Sequence, residues 1–373
     1  MHVKKFLDIL AIDFFTGIPD SRLKPLCNYL IDEYGISDKH IICANEGNCT
    51  ALAAGYYMAM GKTPLVYMQN SGIGNAINPI ASLLNDKVYG IPCVFVVGWR
   101  GQPGLHDEPQ HIFQGEVTLT LLEDMDIRTF VMDENVRDDE LENIWKEFKV
   151  LLEKGKSVAF VVKEGALSYD NKIKYFNNNT MKREDIIKRI VEISGDDIVV
   201  STTGKASREL FEIREMNKQE HKYDFLTVGS MGHASTIAMG IALNKPHSRV
   251  WCIDGDGAAL MHMGAMPVIG VQEIDNLIHV VLNNGSHETV GGMPTVMSKI
   301  NLSEVAKGCG YAEVYHVKDF NELDETLRKV KNEKKLTFIE VDTAIGSRAD
   351  LGRPTTTAKE NKENFMEYLK EKC

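Results

Sequence analysis

Short apolar runs with strand character alternate with helical stretches along this chain, and that alternation restricts the fold more than any other feature. In the first half KHIICA (39–44) is followed by a helix of small residues, then TPLVYMQ (63–69), a Gly-rich turn and PCVFVVG (92–98). A second series contains EDIIKRIVEI (184–193), DDIVVSTT (196–203), SRELFEIREM (207–216), DFLTVG (224–229), RVWCIDGDG (249–257), LIHVVLNN (277–284) and LTFIEVDT (336–343). Strands separated by helices pair in parallel, with helices on both faces of the sheet, so the expected class is α/β with two doubly wound parallel-sheet domains. A length of 373 residues suits two such domains. Periodicity fades across EGALSYDNKIKYFNNNTMKR (164–183), which carries an Asn run. The expected division is therefore 1–165, a linker over 166–183, and 184–373. The charged end KENKENFMEYLKEKC (359–373) has helical spacing and reads as a surface helix.

Composition removes several functional classes. A formal charge of −11, from 42 Lys and Arg against 53 Asp and Glu, opposes general nucleic-acid binding, which needs a cationic face. An anionic substrate would then require positive groups concentrated locally. The longest apolar runs, 91–97 and 277–282, fall short of the roughly 18 residues needed to cross a bilayer. MHVKKFLDIL is amphipathic and reads as part of the fold rather than as a signal peptide, so a cytoplasmic location is expected. The seven cysteines form no Cys-x-x-Cys pair, and Cys43, Cys49, Cys93 and Cys252 lie in apolar stretches, which favours buried thiols over disulfides or zinc. The sequons at Asn48 and Asn178 matter only in a secreted protein. A nicotinamide-binding fingerprint is also missing: NSGIGN (70–75) lacks the third glycine.

Residues 249–286 run as strand, Gly255-Asp256-Gly257 turn, helix, strand, and then Asn283-Asn284. Ligands bind at the carboxyl ends of strands in open parallel sheets, so Asp256 and Asn284 can converge on one ion. A carboxylate, a side-chain amide and the Ser286 carbonyl form an oxygen donor set suited to hard Mg²⁺ or Ca²⁺. Gly255 and Gly257 let backbone N–H groups approach a diphosphate with no Cβ in the way. Alone, Gly-Asp-Gly could be an ordinary turn; its pairing with the Asn-Asn run makes it a candidate site. Pro267 should prevent a helix from running on from Ala258, placing the regular helix start near Gly264.

A second candidate is Glu46, the single acid in IICANEGNCTALAAGYYMAMG (41–61), between a strand and a helix of small and apolar residues. Buried there, it would have a raised pKa and could exchange a proton with a heteroaromatic nitrogen near neutral pH. The alternative is an exposed acid favoured by the helix dipole.

Together, Gly-Asp-Gly with Asn-Asn, the lone Glu46 and GSMGHASTIAMGIAL (229–243) resemble the thiamine diphosphate-dependent decarboxylases over nearly the whole chain. The resemblance implies a pyrimidine-binding domain followed by a diphosphate-binding domain, without the middle domain many relatives carry. It implies thiamine diphosphate and Mg²⁺ as cofactors. Asp256, Asn284 and Ser286 would hold the metal, and Gly229, Ser230, Met231, Gly255, Gly257 and Ala258 would contact the cofactor. Met231 would prop the bent cofactor, and Glu46 would bond the aminopyrimidine N1′. A homodimer or higher homo-oligomer follows, with active sites at the subunit interface. TGIPDS (16–21), GWRGQPGLHDEPQHIFQG (98–115), STTGKASREL (201–210) and NNGSHETVGGMPT (283–295) resemble the branch that acts on phosphonopyruvate, with sulfopyruvate as the alternative. In that branch a small, highly charged 2-oxo acid calls for cations and fixed donors. Arg100, His106, Ser286, His287 and Thr289 are the candidates, and Asp20 and His111 are the expected proton-handling pair beside Glu46. A copy of the fold without catalysis should have lost Glu46 or Asp256; both are present.

Overall fold

A computed structural model describes residues 1–371 and contains two six-stranded parallel sheets. The first comprises β1 (Phe15–Gly17), β2 (His40–Ile42), β3 (Leu65–Gln69), β4 (Val94–Gly98), β5 (Arg128–Met132) and β6 (Val158–Val162), ordered β2-β1-β3-β4-β6-β5. The second comprises β7 (Ile198–Ser201), β8 (Asp224–Leu226), β9 (Val250–Gly255), β10 (Leu277–Asn283), β11 (Glu313–Val317) and β12 (Thr337–Asp342), ordered β11-β12-β10-β9-β7-β8. Counted from its own first strand and read from the other edge, the second order repeats the first. The chain reverses its direction of travel across each sheet between neighbouring strands, β1 with β3 and β7 with β9. A crevice therefore opens at the carboxyl ends of those pairs.

The central strands explain themselves. VFVVG in β4 and VAFVV in β6 are buried throughout, as expected for strands covered by helices on both faces. In the second sheet Trp251, Ile253, Ile278, Val280, Leu282, Ile339 and Val341 pack with Ile186, Ile190, Leu210 and Leu327 from the flanking helices. Truncating a fully buried aromatic such as Phe95 to Ala should cost about 3–5 kcal/mol. The edge strand β5 is only partly covered, and its first residue, Arg128, is exposed.

By packing, the chain divides into one unit of Met1–Lys174 with Val290–Met293 and another of Tyr175–Thr289 with Pro294–Cys373. Between Val162 and Arg183 no helix or strand forms, apart from isolated bridges at Ser168 and Lys182. The Asn run there has a definite job: Asn177 Nδ2 donates to the carbonyls of Asn284 (3.0 Å) and Thr343 (2.9 Å).

The helix expected near Gly264 is found, with Gly264 as its N-cap, and a short helix precedes it. The helix after Gly-Asp-Gly starts at once, as Asp256–Met261, breaks, and resumes as Ala265–Gly270, with Pro267 in the first turn of the second piece, where its missing N–H costs nothing. The C-terminal helix, Ala358–Glu371, is not merely a surface helix: it buries Asn361, Phe365 and Tyr368. Asn361 bonds both the carbonyl of Asp224 (2.8 Å) and the N–H of Leu226 (3.1 Å), so it covers the open edge of β8. Lys372 and Cys373 lie outside the described residues. The cysteines within them are free thiols, of which Cys27, Cys49, Cys93 and Cys252 are buried. Among the described residues no helix is long and apolar enough to cross a membrane.

Candidate active site

Glu46 opens the helix Glu46–Met60 directly after β2. Asn45 caps that helix by accepting from the Asn48 N–H at 2.9 Å, and Thr50 Oγ1 donates to the Glu46 carbonyl at 2.9 Å. The Glu46 side chain is buried, and burial raises its pKa. Asn75 Nδ2 donates to Oε2 at 2.8 Å and works in the opposite direction by favouring the ionised form. Gly72 makes room for this carboxylate, since a Cβ there would lie 2.4 Å from Oε1. Glu46 is thus held in place by two residues of the segment after β3, neither of which the sequence reading singled out.

Asp20, past the end of β1, is fully buried; burial pushes its pKa up to about 6, although the Arg22 N–H donates to Oδ2 at 2.9 Å. Gly98, closing β4, is what admits it, because a Cβ would lie 2.1 Å from Oδ2. Asn70, at the end of β3, pins the next strand end by donating to the Arg100 carbonyl (2.8 Å) and accepting the Arg100 N–H (3.1 Å). His111 is half-buried, and its pKa falls to about 4, first through burial and then through the nearby Arg100 charge, so its ring is neutral at pH 7.

Arg100 was expected as a substrate cation, and the structure gives it a partner the sequence did not reveal. Its Nε donates to Asp107 Oδ2 at 2.8 Å and its Nη2 to Asp107 Oδ1, while Nη1 reaches Ser21 Oγ at 3.0 Å. Burial pushes the Asp107 carboxyl up, but Arg100 and the N–H groups of Gly101 and Glu108 outweigh it and hold it well below the usual range. His106 is exposed on the same loop. The loop is pinched at its base: a Cβ on Gly115 would lie 1.7 Å from the Gly101 carbonyl oxygen, and one on Gly101 would lie 1.8 Å from that of His111. Trp99 Nε1 donates to the Gly115 carbonyl at 2.9 Å and locks this crossing.

In the second unit Asp256 starts its helix at the end of β9, buried, with its pKa pushed up to about 6 by burial. Thr295 Oγ1 donates to Oδ2 at 2.8 Å, and the Thr295 N–H in turn bonds the Gly285 carbonyl at 2.9 Å, which folds the 285–295 loop back onto the turn. Past β10, Asn284 Oδ1 accepts the Ser286 N–H at 2.9 Å and its Nδ2 donates to Glu288 Oε2 at 3.0 Å. Burial opposes ionisation of Glu288, but Arg183 (2.8 Å) and Lys205 (2.7 Å) prevail and keep it charged. Met231 and His287 converge on Gly257, with Met231 Cε and the imidazole each 3.2 Å from where a Cβ would sit. A side chain at 257 would crowd this cradle. His287 is buried and neutral, its pKa brought down to about 4 by burial. Ser286 and Ala258 are buried, Gly229 and Gly255 partly so, and Ser230 is exposed in a left-handed turn at φ 51°. Thr289 is exposed, with its hydroxyl 3.3 Å from a Cβ built on Gly204. Beneath the turn Asp254 Oδ2 and His279 Nε2 stand 3.4 Å apart, and Tyr311 OH meets His279 Nδ1 at 3.1 Å, a buried polar brace behind the strand end.

Two chemistries are therefore available: buried carboxyls of raised pKa, Glu46 and Asp20, in the first unit, and a buried oxygen donor set beside the uncrowded Gly255 backbone in the second. Comparison with known proteins supplies the family. Residues 2–122 match the family model of the thiamine pyrophosphate enzyme N-terminal TPP binding domain, and residues 202–341 match that of the C-terminal TPP binding domain. The chain is 32% identical over 378 residues to a phosphonopyruvate decarboxylase of Streptomyces viridochromogenes, covering 96% of this chain and 92% of the relative. It is 32% identical over 383 residues to another of Streptomyces hygroscopicus, covering 97% and 92%. A sulfopyruvate decarboxylase of Methanosarcina acetivorans is 27% identical over 368 residues, covering 91% and 90%. With both halves matched and the likeness running almost end to end, the chain belongs to the thiamine diphosphate-dependent decarboxylases, the family that includes these phosphonopyruvate decarboxylases.

Proposed function

We propose that the protein decarboxylates phosphonopyruvate to phosphonoacetaldehyde and CO₂ with thiamine diphosphate and Mg²⁺, as a step in phosphonate biosynthesis. The observation that carries this reading is the buried Glu46 carboxyl, raised in pKa and aimed by Asn75. The second unit fits the cofactor's anionic end. Asp256 and Asn284 are buried oxygen donors that suit a hard divalent cation, and at Gly255, where a Cβ would meet nothing within 4 Å, the backbone has room for phosphate oxygens. Asp256, the Asn284 side chain and the Ser286 carbonyl hold Mg²⁺, while Gly229, Ser230, Gly255 and Ala258 line the diphosphate and Met231 supports the ring system.

Thiamine diphosphate, when bound, supplies the electron sink that lets a 2-oxo acid lose CO₂. The chain's own residues bind and move protons. Glu46 gives and takes a proton at the pyrimidine ring nitrogen. Asp20, with a pKa near 6, and neutral His111 relay the proton that the product requires. Arg100, His106, His287, Thr289 and Ser286 receive the substrate's anionic groups. The family likeness supports a homodimer or larger homo-oligomer in the cytoplasm, with each active site built from two chains.

Steady-state assays with Mg²⁺ and thiamine diphosphate test this. Phosphonopyruvate should be turned over well, and sulfopyruvate, the substrate named for the Methanosarcina acetivorans relative, less efficiently. Equal or better efficiency on sulfopyruvate would replace the proposed substrate. Glu46→Gln should lose turnover by about 100-fold or more, and full activity in that variant would falsify the role given to Glu46.

A further inference from the structure

Arg22 has no part in the scheme above, yet it stands beside Arg100. Its Nη2 lies 3.6 Å from Asp107 Oδ2, the same oxygen that accepts from Arg100 Nε at 2.8 Å. Two guanidiniums thus flank one carboxylate. The side chains of Arg22 and Arg100 are only 16% and 19% exposed, and Asp107 only 5%. The buried Nε of Arg22 has no acceptor among the described residues, and neither does Asp20 Oδ1 a donor. Arg22 also meets Glu164, but that acid is 71% exposed, so water screens the pair and an incoming anion can displace it.

Of the acids around the two guanidiniums, Asp107 is the one fixed between them. Glu164 reaches Arg22 from solvent, and Asp20, its pKa raised to about 6, is largely ionised at pH 7 and takes up a proton as pH falls. The His111 ring lies within reach of both guanidiniums: after burial itself, Arg100 and Arg22 push it toward neutrality, against the opposing pull of Asp107. In a chain of net charge −11, fixed partly buried positive charge at the ends of β1 and β4 is the local concentration that a polyanionic substrate needs.

Building on the decarboxylase reading, we propose that Arg22 and Arg100 together bind the second anionic group of the substrate, a tetrahedral phosphonate or sulfonate, with Asp107 holding both guanidiniums in position. A planar guanidinium presents paired donors that match two oxygens of such a group, and the unused Nε of Arg22 is one of them. Pyruvate, which has no second anion, makes no use of this site.

The test compares kcat/KM on phosphonopyruvate, sulfopyruvate and pyruvate for the holoenzyme and its Arg22→Gln and Arg22→Lys variants. It adds calorimetric binding of 3-phosphonopropionate, which lacks the reactive carbonyl. In Arg22→Gln the phosphonopyruvate-to-pyruvate ratio should fall about 30-fold, mainly through KM, and 3-phosphonopropionate should bind at least about tenfold more weakly, with Arg22→Lys intermediate. If Arg22→Gln does not fold, as far-UV circular dichroism would reveal, Arg22→Lys carries the same ratio test, because lysine keeps the charge and loses the fork. Equal losses on all three substrates, or a loss confined to kcat, overturn the proposal and leave Arg22 as a loop brace. A larger Arg22 effect on sulfopyruvate, in an enzyme that prefers it, supports the site and identifies the anion as sulfonate. A wild type that binds 3-phosphonopropionate through Arg22 but releases CO₂ from no 2-oxo acid sinks the decarboxylase reading and leaves the anion site standing. Binding indifferent to Arg22 in an active decarboxylase sinks the site alone.

Discussion

The two sheets share one strand order, so their strand ends can be compared position by position. Glu46 follows β2, and Met231 lies in the segment after β8, the corresponding strand. Asn70 follows β3, where the other sheet places Asp256 after β9. Arg100 follows β4, where the other places Asn284 after β10. The topology decides where a side chain can reach a ligand, and the residue at each end decides the chemistry. One crevice gathers a buried acid, an amide to aim it and two guanidiniums. Its counterpart gathers oxygen donors, glycines and a methionine.

This comparison breaks most visibly at Asp256. Asp256→Ala should weaken thiamine diphosphate binding in Mg²⁺ by at least about 100-fold in a calorimetric titration, whereas Glu46→Gln should stay within about threefold of wild type. Wild-type affinity in the first variant would mean that the oxygen set is not the metal site. The next effect concerns stability. Asp20 and Asp256 each rise from 3.8 to about 6 on folding, so each contributes stability that is complete below pH 4 and fades as pH climbs through 6. That amounts to about 3 kcal/mol per group. Metal-free Asp256→Asn should therefore be the more stable protein at pH 7.5 in denaturant melts, with a flatter pH dependence; parallel curves would contradict the buried carboxylate. Asn75→Ala should lower kcat about tenfold. Because its amide favours the ionised Glu46, the acidic limb of the kcat profile should also move to higher pH. A fall in kcat with no movement of that limb would mean that Asn75 only packs. The smallest change belongs to Asn177→Ala, which frees the Asn284 carbonyl and should raise the Mg²⁺ requirement by a few fold to about tenfold, measured by cofactor binding against Mg²⁺ concentration.

Much of this arrangement could be read in the sequence wherever a strand, a turn and a helix follow one another directly. Glu46 and the Gly255–Gly257 turn are local signals of that kind. Met231 could be placed only through family resemblance, and its approach to Gly257 depends on a fold that joins distant segments. The partners that tune these residues were hidden for the same reason. Asn75 reaches Glu46 from another strand end, Thr295 reaches Asp256 across a long loop, and Arg183 and Lys205 balance Glu288 from helices far earlier in the chain. Arg100 is instructive in a different way. Asp107 is only seven residues away, but in an irregular loop no periodicity indicates which side chains turn toward each other.

The crossing of Gly101 over Gly115 has a consequence for how this loop can change. Because backbone meets backbone at the neck and Trp99 fastens it, the tip between them behaves as a closed purse. Residues could be exchanged along 102–105, ahead of His106, Asp107 and the helix Pro109–Asp124 that carries His111, while the neck keeps its place. Variation among related chains should therefore gather at 102–105, and the two glycines, the tryptophan and Asp107 should be the last to go.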